Sequence, residues 1–207
     1  MTELTELSLN AFAAELSSRA PTPGGGGAAA LCGALSAALA AMAARLSESA
    51  GKSELPALIE RADALRERLL SLIVQDAEGF APLSAAYGIP KETPGRRETI
   101  HEATLLACRA PLDMLRSAAA TAELLGELKP LCKPLLLSDL GCAAALCHAA
   151  MACAAMNLYV NTRTLPEDSE AKAMAAESDA LLAQWAPVCE ALGCSVLDTL
   201  RGVDSHG

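Results

Sequence analysis

Polar and apolar positions along the chain recur at helical spacing rather than in alternation. Two stretches, Ala20 to Ala44 and Leu140 to Thr162, contain no Asp, Glu, Lys or Arg. Their length would suit a membrane span. Their content would not: both are dominated by Ala, Gly, Cys and Ser, and the second carries His148, Asn157 and Asn161. The pattern predicts two helices buried on all sides inside a bundle, with small residues allowing close approach. Between them, Leu69, Leu72, Ile73, Asp76 and Phe80 share one helical face, and Glu78 falls on the opposite side.

The same reading predicts helices over 3–18, 28–49, 54–87, 96–125, 139–161 and 167–192, with a short seventh over 195–201. Ser53 and Ser138 are placed to cap the third and fifth. Pro82 predicts a kink or break in the third, and Gly51 and Gly193 predict helix ends. Loops fall at 20–27, 88–95 and 126–137. Without internal repeat or linker, residues 1–207 read as one all-α domain, a bundle of six or seven helices.

Composition sharpens the fold class. The chain has 45 Ala and 35 Leu against 5 Val and 4 Ile, and only 2% aromatic residues, which excludes a sheet-based fold. A net charge of −9 opposes nucleic-acid binding but leaves room for an anionic small ligand in a locally positive pocket. Eight cysteines invite a disulfide reading. The helical Ala/Leu context, the absence of a C-x-x-C pair and an acidic first ten residues without an apolar run point instead to reduced, buried thiols in the cytoplasm. No metal-ligand spacing is present.

Three places can carry chemistry. Pro21-Thr22-Pro23-Gly24-Gly25-Gly26-Gly27 opens directly into an apolar helix. Its glycines permit close backbone approach and leave N–H groups for an anion, or form a sharp turn only. Asp76 places a carboxylate on an apolar face, where it needs either a partner or a chemical role. Ser138-Asp139 at a helix start is explained by capping and the helix dipole alone. Asn157 and Asn161, four apart on an uncharged helix, need partners in a neighbouring helix, a loop or a ligand. His148 on the same helix reads as a hydrogen-bonded core residue.

Taken in order, these segments resemble the formiminotransferase-cyclodeaminase C-terminal (cyclodeaminase) family, which includes stand-alone methenyltetrahydrofolate cyclohydrolases. The resemblance lies in Phe12-Ala13-Ala14-Glu15-Leu16 with Pro21 to Gly26, in Asp76-Ala77 with Phe80, and in Gly88-Ile89-Pro90-Lys91. It continues through Ala110-Pro111-Leu112, Ser138-Asp139-Leu140-Gly141, and Asn157 with Asn161. It covers nearly the whole chain. Two departures stand out. Lys133-Pro134-Leu135-Leu136-Leu137 replaces asparagines before Ser138, and Tyr159 stands where an arginine separates the paired asparagines.

The resemblance implies an all-α homodimer acting on one-carbon tetrahydrofolates, with Asp76 catalytic and no cofactor beyond the folate substrate. It implies substrate contacts from Pro23, Gly24, Gly25, Gly26, Lys91, Arg96, Ser138, Asp139, Asn157 and Asn161. The expected activity is formimidoyltetrahydrofolate cyclodeaminase, converting 5-formimino- to 5,10-methenyl-tetrahydrofolate with loss of ammonia. The alternatives are a cyclohydrolase taking 5,10-methenyl- to 10-formyl-tetrahydrofolate, and a catalytically silent folate-binding helical module. The expected setting is cytoplasmic, with neither nucleic acid nor membrane as partner and no metal.

Overall fold

The structure is a computed structural model that describes residues 4–48 and 52–202. After a short 3-10 turn at Leu4–Glu6, six α-helices follow: α1 Leu9–Leu16, α2 Gly25–Ser47, α3 Leu55–Tyr87, α4 Arg96–Leu128, α5 Leu137–Thr162 and α6 Ser169–Arg201. No strand occurs among the described residues.

Alanine-rich α2 is the centre of the bundle. It lies between α3 and α5; α4 packs across both, and α6 covers α5 and α4. Ala37, Ala40, Ala43 and Ala44 are fully buried, so α2 meets its neighbours through methyl groups rather than long side chains. The few polar groups inside are satisfied. Ser36 Oγ donates to the Ala143 carbonyl across the α2–α5 contact at 2.7 Å, and Cys147 Sγ donates to Ala118 of α4 at 3.1 Å. Larger side chains fill the rest of the core, among them Leu69, Leu72, Leu115, Leu125, Leu140, Met151 and Leu158.

Several expected boundaries move. The third helix does not break at Pro82; α3 runs through it to Tyr87. Pro82 lacks only its own amide proton, while Leu83 and Ala86 just beyond it are buried and hold the helix in place. The break expected at Gly193 is likewise absent, because α6 buries Cys189, Leu192 and Val196 on either side of it. α2 begins earlier, inside the glycine run, at Gly25. Neither serine caps as expected: the N-cap positions of α3 and α5 are Glu54 and Leu136, without side-chain capping bonds. The first helix, expected from residue 3, is a 3-10 turn and then α1, capped by Ser8. The expected start at residue 3 and the expected end of the second helix at 49–51 lie outside the described residues.

The buried-on-all-sides reading of the two uncharged helices holds for one face only. Leu35, Met42 and Leu46 of α2 and Met156 and Val160 of α5 are exposed. By length and hydropathy three segments would suffice to cross a membrane, Gly25–Ser47, Pro134–Thr162 and Ser169–Arg201; the first buries 61% of its most apolar window inside the bundle. All eight cysteines are free, but only Cys108, Cys147 and Cys189 are buried, and Cys142 and Cys194 are exposed.

Candidate active site

The N-terminus of α2, the middle of α3 and α4 and the C-terminal end of α5 converge on a cavity of about 180 Å³. Its lining comprises Pro21, Thr22, Gly24, Gly25, Gly26, Asp76, Phe80, Ala107, Pro111, Asn157, Val160 and Asn161. Asp76 is the one titratable residue among them.

Asp76 reaches this cavity because the face it shares with Leu69, Leu72 and Ile73 packs against α2. A methyl group on Gly26 would overlap both carboxylate oxygens of Asp76, and one on Gly25 would press on the Asn157 amide. These two glycines let α3 and α5 side chains lie directly on the backbone of α2's first turn. The first α2 amides have no carbonyl within the helix to bond, so the positive end of the helix faces the cavity.

Among the described residues no side chain or amide donates to Asp76, and no cation pairs with it. Burial pushes its carboxyl up from 3.8 to about 6. That is the environment of a proton-transfer group working near neutral pH. The asparagines occupy the opposite wall. Asn157 Nδ2 donates to the Cys153 carbonyl at 2.8 Å and Asn161 Nδ2 to the Asn157 carbonyl at 3.2 Å. Each amide is thereby anchored to its own helix, with its oxygen left to accept from a ligand.

The structure thus brings together Gly24, Gly25, Gly26, Asp76, Asn157 and Asn161. Pro23 is buried beneath the loop, close to Gly27, and does not line the cavity. Lys91 is exposed on the α3–α4 connection. Arg96 opens α4, where its Nε donates to the Ile89 carbonyl at 2.7 Å, and it lines a second cavity rather than this one. Ser138 and Asp139 sit in the first turn of α5, about 27 Å from Asn157 along the helix axis. Within one chain they do not join the site.

The two departures from the family pattern also point elsewhere. Tyr159 donates to Asp179 Oδ1 at 2.5 Å and accepts from Ser178, so it ties α5 to α6. Lys133 Nζ donates to the Leu46 carbonyl at the end of α2, and its amide donates to Ser47 Oγ. Neither touches the cavity. His148 is half-buried and makes no side-chain hydrogen bond among the described residues, contrary to the reading of a bonded core histidine. The sequence reading did not single out Ala107 or Val160. The small-residue spacing Ala103, Ala107, Ala110 on α4 was the available signal for the first.

The chain is similar to known proteins over most of its length. The formiminotransferase-cyclodeaminase family model matches residues 8–180. A methenyltetrahydrofolate cyclohydrolase of Methylorubrum extorquens is 35% identical over 188 residues, covering 85% of this chain and 89% of that protein. The formimidoyltransferase-cyclodeaminase of Rattus norvegicus is 31% identical over 80% of this chain, which spans 32% of that longer protein. The crystal structure of formiminotetrahydrofolate cyclodeaminase from Thermotoga maritima superposes with a TM-score of 0.83 at 29% identity, covering 97% of this chain and 99% of that one. With matching segments in order, a shared fold and most of its length inside the family model, the chain belongs to the formiminotransferase-cyclodeaminase family.

Proposed function

We propose that the protein is a methenyltetrahydrofolate cyclohydrolase, converting 5,10-methenyl- to 10-formyl-tetrahydrofolate with Asp76 as its proton-transfer group. The observation that carries this reading is the isolation of Asp76: one half-buried carboxylate, raised to about 6, with no partner among the described residues and no second titratable group lining the cavity. Hydrolysis of the methenyl cation needs only that. Asp76 takes a proton from water as its oxygen bonds to the cationic carbon, giving a neutral hydroxyl adduct. The carboxylic acid then returns the proton to N5 as the C–N5 bond breaks. The hydroxyl proton leaves to solvent, so one proton is released per turnover. The cationic ring favours the carboxylate form, keeping the base ionised in the complex. General base catalysis of this kind contributes about 10²–10⁴-fold. The similarity in length and sequence to the Methylorubrum cyclohydrolase supports the same choice.

Cyclodeamination is the second reading, favoured by the close structural likeness to the Thermotoga enzyme. There Asp76 would take the N10 proton as N10 attacks the formimino carbon, and hand it to the departing ammonia. Steady-state assays on 5,10-methenyl- and 5-formimino-tetrahydrofolate, read at the methenyl absorbance, decide between them. Turnover of the first alone is expected. Ammonia release from the second at a comparable rate overturns the choice, and turnover of neither makes the chain a silent folate-binding module.

The assembly belongs to the same reading. Leu35, Met42 and Leu46 of α2 and Met156 and Val160 of α5 leave an apolar face on two adjoining helices that carry no charge over 27–44 and 140–162. Exposed apolar residues on an uncharged surface suit an interface, and an uncharged patch is complementary to itself across a two-fold axis. A homodimer through this face is expected in sedimentation without detergent. A compact monomer at micromolar concentration, or partition into the membrane fraction, overturns it. Eight free thiols suit the cytoplasm.

A further inference from the structure

Among the described residues three prolines lie in helix interiors: Pro82 in α3, Pro111 in α4 and Pro187 in α6. A proline has no amide proton, and its ring pushes away the carbonyl four residues earlier, so each deprives one backbone oxygen of its helical partner. The three oxygens belong to Glu78, Ala107 and Ala183. Pro82 and Pro187 are exposed, as are Glu78 and Ala183, and solvent can satisfy those two carbonyls. Pro111 is buried and Ala107 is only 6% exposed, yet both line the Asp76 cavity. A helical carbonyl points along the axis toward the residue four further on, so the Ala107 oxygen lies between two residues of the cavity wall. The nearest α4 hydroxyls do not quench it: Thr104 donates to the Ile100 carbonyl and Ser117 to that of Asp113.

Its level relative to Asp76 follows from the packing of α3 on α4. The two helices run antiparallel and meet closely at Gly79, where an added methyl group would lie 3.5 Å from the Leu106 carbonyl oxygen and 4.0 Å from Ala107 Cα. One turn back along α3 from Gly79 is Asp76; the matching turn of α4 is the one between Ala107 and Pro111. The cavity therefore carries two acceptors at one level, the Asp76 carboxylate and the Ala107 carbonyl, and no side chain among the described residues donates to either. Two acceptors facing one small space are bridged by a species with two protons to give. Water is such a species, and it is the nucleophile of the hydrolysis.

We propose that the Ala107 carbonyl, released by Pro111, holds and aims the attacking water together with Asp76. The assignment rests on the cyclohydrolase reading above and deepens it. One O–H of the water donates to the carboxylate and the other to the carbonyl, which turns an oxygen lone pair toward the methenyl carbon. As the C–O bond forms, the first proton passes to Asp76. The second stays on the new hydroxyl, still donating to the carbonyl, and is lost to solvent when the adduct collapses. Positioning of this kind is worth about ten- to a hundredfold in rate.

The test restores the missing amide. Pro111→Ala and Pro111→Val both supply an N–H that recaptures the Ala107 oxygen, and both suit a helix better than proline. One side chain is smaller than the proline ring and the other larger, so a loss common to both comes from the restored N–H and not from space. Pro187→Ala makes the same backbone change at an exposed site and is the control. On 5,10-methenyl-tetrahydrofolate, kcat is expected to fall about ten- to a hundredfold in both Pro111 variants, with KM little changed and the rise of kcat/KM through about 6 kept in place. Pro187→Ala keeps wild-type turnover. Wild-type kcat in both Pro111 variants overturns the role of the carbonyl and leaves the cyclohydrolase reading standing. A loss in only one of them is an effect of volume and overturns it equally. A raised KM at unchanged kcat makes the carbonyl a contact to the substrate ring, which also removes it from the water. A wild type that does not turn over the methenyl substrate overturns the cyclohydrolase reading itself, and the water site falls with it.

Discussion

Asp76 and Asp168 are both carboxylates at the mouth of a helix, and their surroundings drive them in opposite directions. Asp168 lies at the N-cap of α6, where the Ala171 amide donates to it and His101 stands alongside; these contacts hold its carboxyl below the ordinary range. Asp76 lies against the first turn of α2 but receives no hydrogen bond among the described residues, and burial pushes it up to about 6. Nearness to a helix N-terminus therefore does not decide the outcome. A donor aimed at the oxygen does. One carboxylate is spent on holding the structure together, and the other is left unsatisfied at a cost in stability, which is the condition for moving protons.

The largest effect expected from breaking this contrast is on turnover. Asp76→Asn keeps the shape and removes the base, so the rate should fall about 10²–10⁴-fold. Its stability should rise, because no cation loses a partner and the burial penalty disappears. The shift from 3.8 to about 6 is worth at most about 3 kcal/mol, and about 1–2 kcal/mol after allowance for solvent at the cavity mouth. A variant that melts earlier than the wild type and keeps its turnover would return Asp76 to a structural role.

Next in size is the steric route to the same site. In Gly26→Ala the added methyl collides with the Asp76 carboxylate. A loss of about 1–3 kcal/mol in stability is expected, together with most of the activity. Gly126→Ala near the end of α4 has open space around it and serves as the control, with a small gain expected. Equal melting temperatures for both variants would mean that α2 and α3 do not approach as closely as described.

The pH profile sharpens the comparison further. As the free base, Asp76 predicts that kcat/KM rises with pH through about 6 and then levels. Stability moves the other way. The folded carboxyl binds its proton more tightly than the unfolded one, so the penalty is absent below about 4 and grows as pH rises from 3.8 to about 6. Melting followed from pH 4 to 7 in the wild type and in Asp76→Asn isolates this contribution as the difference between the curves. A difference that does not change with pH would contradict it.

Much of the Asp76 region was legible in the sequence because it depends on short-range facts. An acid on the Leu69, Leu72, Ile73 face must point inward, and a glycine run entering a helix must accommodate something close. The second cavity was not legible, since it is assembled from the start of α4 and the α5–α6 connection, whose meeting is decided by packing. For the same reason Arg96, expected as a substrate contact, lies about three turns along α4 from Ala107 of the Asp76 cavity. Ser138 and Asp139 show the limit of ordering motifs along a chain: they share α5 with Asn157 yet occupy its far end. Gly193 and Pro82 misled as breakers because buried neighbours on both sides carry the helices through, a tertiary effect that outweighs propensity.

The smallest expected effect lies at Asp168. Its lowered carboxyl contributes stability that is present above the unfolded value near 3.8 and fades as pH falls through the folded one. Asp168→Ala removes the acceptor for the Ala171 amide and the neighbour of His101 together. It should melt slightly earlier than the wild type at pH 7, and the gap should narrow as pH falls through the lowered folded value, where the wild-type carboxyl also loses its charge. Asp168→Asn retains a capping oxygen without the charge, so it should fall between the two at pH 7 and join the wild type in acid. The slope of this series against pH is opposite in sign to that of Asp76. If removing Asp168 instead raised stability at neutral pH, its hydrogen bonds would not be compensating its burial, and the division of labour between the two carboxylates would fail.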